Sequence, residues 1–263
     1  MNILYEIAQR TRERIEGKKK ILPLGKLVEL TDSNNTIHDF CFEKALISDD
    51  IAFICEIKKA SPSKGVIAKD FPYLDIAKDY EAAGAAAISV LTEPYYFQGD
   101  DRYLREIADT VSVPLLRKDF TVDSYMIYEA KLLGASAVLL ICSILNKETL
   151  AEYIRIANNL GLSALVETHD KSEVEMALTV GARIIGVNNR NLKTFEIDMT
   201  LSEQLRKMVP ADILFVSESG IHSADDVNKL REIGADAVLI GESIMRSDDK
   251  KTAIAELRGD FCG

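Results

Sequence analysis

Gly84-Ala-Ala-Ala-Ile-Ser-Val90, Gly134-Ala-Ser-Ala-Val-Leu-Leu140, Gly161-Leu-Ser-Ala-Leu-Val166, Gly181-Ala-Arg-Ile-Ile-Gly-Val187 and Gly234-Ala-Asp-Ala-Val-Leu-Ile240 are five versions of one phrase. A glycine ends a helix in the left-handed conformation that other residues resist, and the apolar run after it reads as a fully buried strand. Each copy is therefore the joint of a helix–strand unit. The glycines stand 50, 27, 20 and 53 residues apart, so the two long gaps each have room for one more unit. Val113-Pro114-Leu-Leu-Arg117 fills the first and Pro210-Ala-Asp-Ile-Leu-Phe-Val216 the second, each with proline at the strand's start, where no ladder donor is yet needed. Adding the apolar run Ile51-Ala-Phe-Ile-Cys-Glu-Ile57 gives strands starting near residues 51, 86, 114, 136, 162, 183, 213 and 236, which makes eight.

Between the strands lie helical patterns such as Tyr73–Ala83, Ser124–Leu133, Lys147–Leu160, Ser172–Val180 and Ala224–Ile233. Asp170 three before Glu173, and Ser223 three before Asp226, resemble capping boxes. Eight alternations joined by right-handed crossovers predict a single (β/α)8 TIM barrel, with the eight βα units over residues 51–263. A doubly wound open sheet fits less well, because of the strand count and because no Gly-x-Gly-x-x-Gly turn follows the first strand. Residues 1–50 form an N-terminal helical extension too short for a second domain. Within it Leu4, Ile7, Ala8, Thr11 and Ile15 recur at helical spacing and predict an amphipathic helix from Asn2 to about Gly17. The Lys18-Lys19-Lys20 run after it reads as a solvated helix end.

The 263 residues are 47% hydrophobic, 28% charged and 7% aromatic, a globular composition with ample core material. Thirty-two bases against 42 acids leave a net charge of −10, which disfavours nucleic acid and anionic membranes as partners. No apolar run reaches the roughly 18 residues of a membrane span, and Arg10, Arg12 and Arg14 stand where a signal peptide needs an apolar core, so the expected location is cytoplasmic. Cys41, Cys55, Cys142 and Cys262 are scattered and read as buried or incidental thiols; with His38, His169 and His222 equally dispersed, no structural metal is expected.

Active sites of such barrels form at the carboxyl ends of the strands. Here the first strand ends in Glu56-Ile-Lys58, the third in Lys118, the fifth in Glu167, the sixth in Asn188-Asn-Arg190 and the seventh in Glu218-Ser219-Gly220. Strand alternation puts Glu56 and Lys58 on one face and aims Glu167 and Glu218 inward, so three acids and two lysines converge on one mouth. A lone Glu-x-Lys would be a solvated ion pair of little consequence, but charges gathered at five strand ends of one rim point to function. The last two strands run into Ser217-Glu-Ser-Gly220 and Ile240-Gly241-Glu242-Ser243, where free backbone N–H groups and a helix dipole can hold phosphate.

Glu56-Ile-Lys58-Lys-Ala-Ser61-Pro62-Ser63 resembles the signature of the indole-3-glycerol phosphate synthase family. Leu116-Arg-Lys118-Asp119-Phe120, Leu165-Val-Glu167, Gly186-Val-Asn188-Asn189-Arg190 and Ser217-Glu218-Ser219-Gly220 are similar to its other blocks, in order, from the leader helix to about Arg246. The resemblance implies a lyase of tryptophan biosynthesis. A carboxyphenylamino-deoxyribulose phosphate closes its ring, loses carbon dioxide and then water, with no cofactor. It implies Lys118 as general acid, its pKa lowered by a second lysine or by burial, and Glu167 as acid/base for dehydration. Lys58 would orient substrate and Glu56 would hold Lys58, with Asn188, Arg190 and Glu218 placing carboxylate and hydroxyls. Ser61, Ser219, Gly220, Gly241, Glu242 and Ser243 fall in the substrate and phosphate contacts. Glu242 would offer its main-chain N–H and turn its carboxylate away.

Phe97 and Phe120 read either as walls for the aromatic ring or as plain packing. The leader helix and the Ser61–Lys69 loop resemble lid elements. The partner expected is a small-molecule phosphosugar–anthranilate substrate, bound by a monomer or weak homodimer. Two rivals stand beside this reading. One is phosphoribosylanthranilate isomerase, whose cysteine–aspartate pair does not match Glu-Ile-Lys; the other is a barrel that binds phosphate without turnover.

Overall fold

The structure, a computed structural model, describes residues 3–33, 39–191 and 194–260; Asn2, His38 and Cys262 lie outside them. Eight strands close into one barrel: β1 (Ala52–Ile57), β2 (Ala87–Leu91), β3 (Leu115–Lys118), β4 (Ala137–Ile141), β5 (Ser163–Thr168), β6 (Ile184–Asn188), β7 (Leu214–Glu218) and β8 (Ala237–Ile240). All eight neighbouring pairs are parallel, and β8 closes onto β1 through Ala52–Cys55 against Ala237–Ile240. Each strand begins one residue after its expected start. The five joint glycines all adopt φ between +69° and +86°, the left-handed region in which a side chain is strained.

Alternation along each strand sorts the core into two layers. Ile54, Leu116, Leu165, Ile184 and Val216 point into the barrel, while Phe53, Leu115, Val166, Ile185 and Phe215 pack outward against the helices. One or two steps further along the inward rows stand Glu56, Lys118, Glu167, Asn188 and Glu218. The same period that buries the floor thus carries charge to the rim.

The outer ring comprises α4 (Tyr73–Ala82), α5 (Asp101–Ala108), α6 (Tyr125–Leu132), α7 (Lys147–Asn159), α8 (Lys171–Thr179), α9 (Thr200–Arg206), α10 (Ala224–Glu232), α11 (Glu242–Arg246) and α12 (Lys250–Arg258). Ser223 and Asp226 form both arms of a capping box, but Asp170 makes only one. The Glu173 carboxylate instead accepts the backbone N–H of His169 at 2.8 Å.

Among the described residues three helices precede the barrel rather than one: α1 (Ile3–Ile21), α2 (Leu24–Ser33) and α3 (Cys41–Leu46). Phe42 and Leu46 of α3, both fully buried, plug the amino end of the barrel against Ala52, Ile54 and Ala137. The leader helix buries Leu4, Ile7, Ala8, Thr11 and Ile15 as expected, yet it continues to Ile21 through the lysine run. Lys20 is exposed, but the other two lysines of the run are not simply solvated. Lys18 pairs with Asp101 and, at 2.6 Å, with Glu129, and Lys19 reaches Asp123 at 2.6 Å. Arg14 forks onto the buried Asp119 at 2.7 and 2.9 Å, fastening α1 to the residue next to Lys118. The Ser61–Lys69 stretch also departs from an open loop: Ala60-Ser61 pairs antiparallel with Gly65-Val66 in a small hairpin. Among the described residues no helix is long and apolar enough to cross a membrane.

Candidate active site

At the carboxyl end of the barrel lies a cleft whose empty volume, mouth included, is about 1180 Å³. Its walls contain Glu56, Lys58, Ser61, Phe97, Lys118, Phe120, Glu167, Asn188, Arg190, Glu218, Ser219, Gly220, Gly241, Glu242 and Ser243. Every site residue named from the sequence therefore faces one cavity, although the strands that carry them are far apart in the chain. Leu139, Ile141 and Leu239 form its apolar floor, and Ile3, Leu4 and Ile7 of α1 close one side.

The charges interlock. The Lys118 ammonium stands 3.3 Å from Glu218 and 3.5 Å from Glu167, and Lys58 pairs with Glu56. Burial alone would push Lys118 toward neutrality, but Glu218, Glu167 and Glu56 together outweigh it and raise its pKa well above the ordinary lysine value. The expected lowering does not occur, because the second lysine, Lys58, is matched by its own carboxylate.

The three acids part company for the same reason. Burial works against ionising Glu167, yet Lys118, His169 and Asn188 hold its pKa down to about 2. Lys58 and Lys118 likewise keep Glu56 below the ordinary carboxylate range against its burial. Glu218 is 1% exposed, and neither of its oxygens accepts a hydrogen bond. Burial and the neighbouring Glu167 and Glu56 prevail over Lys118 there, and its pKa rises to about 7.

Two glycines clear space for these acids. A Cβ on Gly186 would come within 2.4 Å of Glu218 Oε1, and one on Gly241 within 2.4 Å of Glu56 Oε1. Gly241 thus makes room for Glu56, a role the sequence reading had given to phosphate alone.

On the other half of the mouth the backbone takes over. Asn188 Oδ1 accepts from the Ser219 hydroxyl at 2.9 Å and the Arg190 N–H at 3.1 Å, and Ser219 and Gly220 both have positive φ, +68° and +84°. Glu242 and Ser243 open α11, where first-turn N–H groups have no partner within the helix. The Glu242 carboxylate folds onto Arg246 at 3.2 Å and lies 3.7 Å from Lys64 and 4.0 Å from Arg190, so it is not turned clear of the cleft. Phe97 and Phe120 face each other with ring centroids 6.1 Å apart.

Sequence reasoning missed three supports. The buried Glu93 accepts the N–H groups of Tyr95, Tyr96 and Phe97 at 2.7–3.0 Å, fixing the loop that presents Phe97. Arg14 and Asp119 form a pair between distant segments, for which no local pattern exists. His169 touches Glu167; here a signal was present, since Glu167-Thr-His169 has the strand period, but histidine had been weighed only as a metal ligand.

A closed parallel barrel that gathers ammonium and carboxylate groups into one cleft at the carboxyl ends of its strands has the architecture of a barrel enzyme. The family model for indole-3-glycerol phosphate synthase matches residues 4–257. The chain belongs to that family. The indole-3-glycerol phosphate synthase of Ruminiclostridium cellulolyticum is 58% identical to it over 257 residues, 98% of this chain and 99% of the relative. That of Endomicrobium trichonymphae is 50% identical over 97% of this chain and 99% of its own. Among solved structures, 3-hexulose-6-phosphate synthase from Salmonella typhimurium superposes with a TM-score of 0.66 at 14% identity, over 80% of this chain and 97% of that one. The Pyrococcus furiosus tryptophan synthase complex gives 0.61 at 15% identity, over 80% and 98%. Both show the shared fold.

Proposed function

We propose that this cleft carries out the family's reaction as an indole-3-glycerol phosphate synthase, a lyase of tryptophan biosynthesis, with its charged groups dividing the proton transfers. The substrate is 1-(2-carboxyphenylamino)-1-deoxyribulose 5-phosphate. Its anilino ring supplies the electron pair that attacks the ketone carbon, its carboxylate leaves as carbon dioxide, and the new hydroxyl leaves as water. Lys118 protonates the oxygen of the closing ring. Its raised pKa keeps it charged at neutral pH, and the alkoxide that forms is basic enough to take its proton. Glu167, held ionised, removes the proton released as the ring becomes aromatic.

Lys58, oriented by Glu56, and Arg190 bind the substrate's carboxylate, and Asn188, Ser219 and Glu218 orient its hydroxyls. Ser61, Gly220, Gly241, Glu242 and Ser243 hold the phosphate, the last four through main-chain donors. Phe97 and Phe120 wall the aromatic ring. The observation that carries this reading is one ammonium, Lys118, set between two buried carboxylates within 3.5 Å. The enzyme is proposed to act in the cytoplasm as a monomer or weak homodimer, and the excess of acids, 42 against 32 bases, supports its acting without nucleic acid or an anionic membrane. Lys118→Ala should abolish formation of the fluorescent indole product from this substrate while binding persists in calorimetry. Near-normal turnover would overturn the assignment, and loss of binding alone would favour a binding barrel.

A further inference from the structure

His169 lies outside the groups assigned above. It follows Glu167 by two residues just past the end of β5, and its Nε2 stands 3.3 Å from Glu167 Oε1, an ion-pair distance without hydrogen-bond alignment. On the other side of the ring, Nδ1 is 3.1 Å from Glu173 Oε2 and 3.2 Å from the Ser143 hydroxyl. Ser143 in turn donates to Glu173 Oε1 at 2.5 Å, and Glu173 accepts the His169 backbone N–H. Ser143, His169, Asp170 and Glu173 face a second cleft, so the imidazole is a partition between the two. A neutral imidazole has one donor and one acceptor nitrogen, so its lone pair would face either Glu167 or the Glu173 carboxylate and Ser143 hydroxyl, whereas the imidazolium presents an N–H toward each carboxylate. Burial opposes that charge, but Glu167 and Glu173 prevail and lift the ring's pKa to about 10.

We propose that His169 is a positioning residue for the reaction: clamped by Glu173 and Ser143, its imidazolium holds Glu167 ionised and leaves Glu167 Oε2 toward Lys118 and the substrate. This rests on the acid/base role proposed for Glu167. Lys118 is the first support for an ionised Glu167 and His169 the next. Lys118 on β3 is shared with Glu218, Glu56 and Glu218 oppose its ionisation, and Asn188 is neutral. Around His169 stand Glu167, Glu173 and Asp170, all acids; the Cys142 thiol, which donates to the Glu173 carbonyl, is kept neutral by burial and by these acids.

His169→Gln tests the charge, because its amide offers Glu167 a neutral donor near the position of Nε2. Steady-state rates across pH should show kcat down on the order of tenfold with KM little changed, and the acid limb of kcat moved up by about one to two pH units. Glu173→Gln, which keeps the shape and removes the outer charge, should bring an alkaline limb into view as His169 loses its proton more easily. It also decides the matter if the first variant does not fold. A parent-like profile in these variants, or a lower kcat with both limbs unmoved, overturns the inference. Glu167→Gln separates the two readings: if it turns over normally, the role of Glu167 fails; if it is inactive while His169→Gln behaves as the parent, the role of His169 fails.

Discussion

Glu218→Gln should make the protein more stable, and increasingly so as the pH rises. Glu218 is 1% exposed and accepts no hydrogen bond, so an amide of the same shape forfeits none. Its pKa is raised from 4.5 to about 7 by burial and by Glu167 and Glu56, only partly offset by Lys118. A group whose folded pKa lies above its unfolded one contributes stability that is complete below the unfolded value and lost as the pH climbs through the folded value. From 4.5 to about 7, at about 1.4 kcal/mol per pKa unit, that loss is about 3 kcal/mol. Glutamine carries no such dependence. Urea unfolding at pH 5 should separate variant and parent by about 1 kcal/mol or less, and at pH 8 by about 3 kcal/mol, which is roughly 1 M in the midpoint. A difference that stays constant between the two pH values, or that shrinks, would refute the claim that Glu218 is ionised against its surroundings. The variant should also lose turnover, the common cost of relieving a strained site.

Arg14→Ala leaves the fully buried Asp119 without its fork and should cost about 3 kcal/mol in denaturant unfolding, where an exposed pair would cost under about 1 kcal/mol. Gly220→Val forces a side chain into a backbone at φ +84° and against Ile197 and Met199, 2.5 and 2.6 Å from a Cβ; KM should rise several-fold on the phosphate-bearing substrate, and an unchanged KM would remove the proposed cradle. Phe42→Ala unplugs the amino end of the barrel and should cost about 3–5 kcal/mol with KM unchanged, read from unfolding curves beside initial rates.

The barrel was legible because its signals are local and repeated. A glycine that must take positive φ, followed by a strand buried on both faces, can be read from a few neighbouring residues, and five such readings with three further apolar runs leave little choice of topology. The charged rim was legible for the same reason: period two carries Ile54 to Glu56 and Leu165 to Glu167. What escaped depended on partners distant in the chain. Nothing near Lys18 announces Asp101 and Glu129, and nothing near Phe42 announces the barrel floor. The Lys118 pKa was misjudged because a sequence shows which charges converge but not which of them pair with one another. Asp170 failed as a capping box through competition, since Glu173 is taken by His169.

The pairing decides the chemistry. Glu56, Glu167, Glu218 and, behind the imidazole, Glu173 share Lys58, Lys118 and His169, so the acids outnumber the cations. Nor are the cations shared evenly. Lys58 serves Glu56 and His169 lies between Glu167 and Glu173, while Lys118 is divided between Glu167 and Glu218. The shortfall falls on Glu218, the acid with no hydrogen bond of its own, and half of it is protonated near pH 7. Near pH 7 the charged Lys118 and a half-protonated Glu218 therefore stand 3.3 Å apart, with an ionised Glu167 beside them. The unequal sharing of a single ammonium is what keeps the two acids beside it, Glu167 and Glu218, in different protonation states, the condition that the proposed division of proton transfers requires.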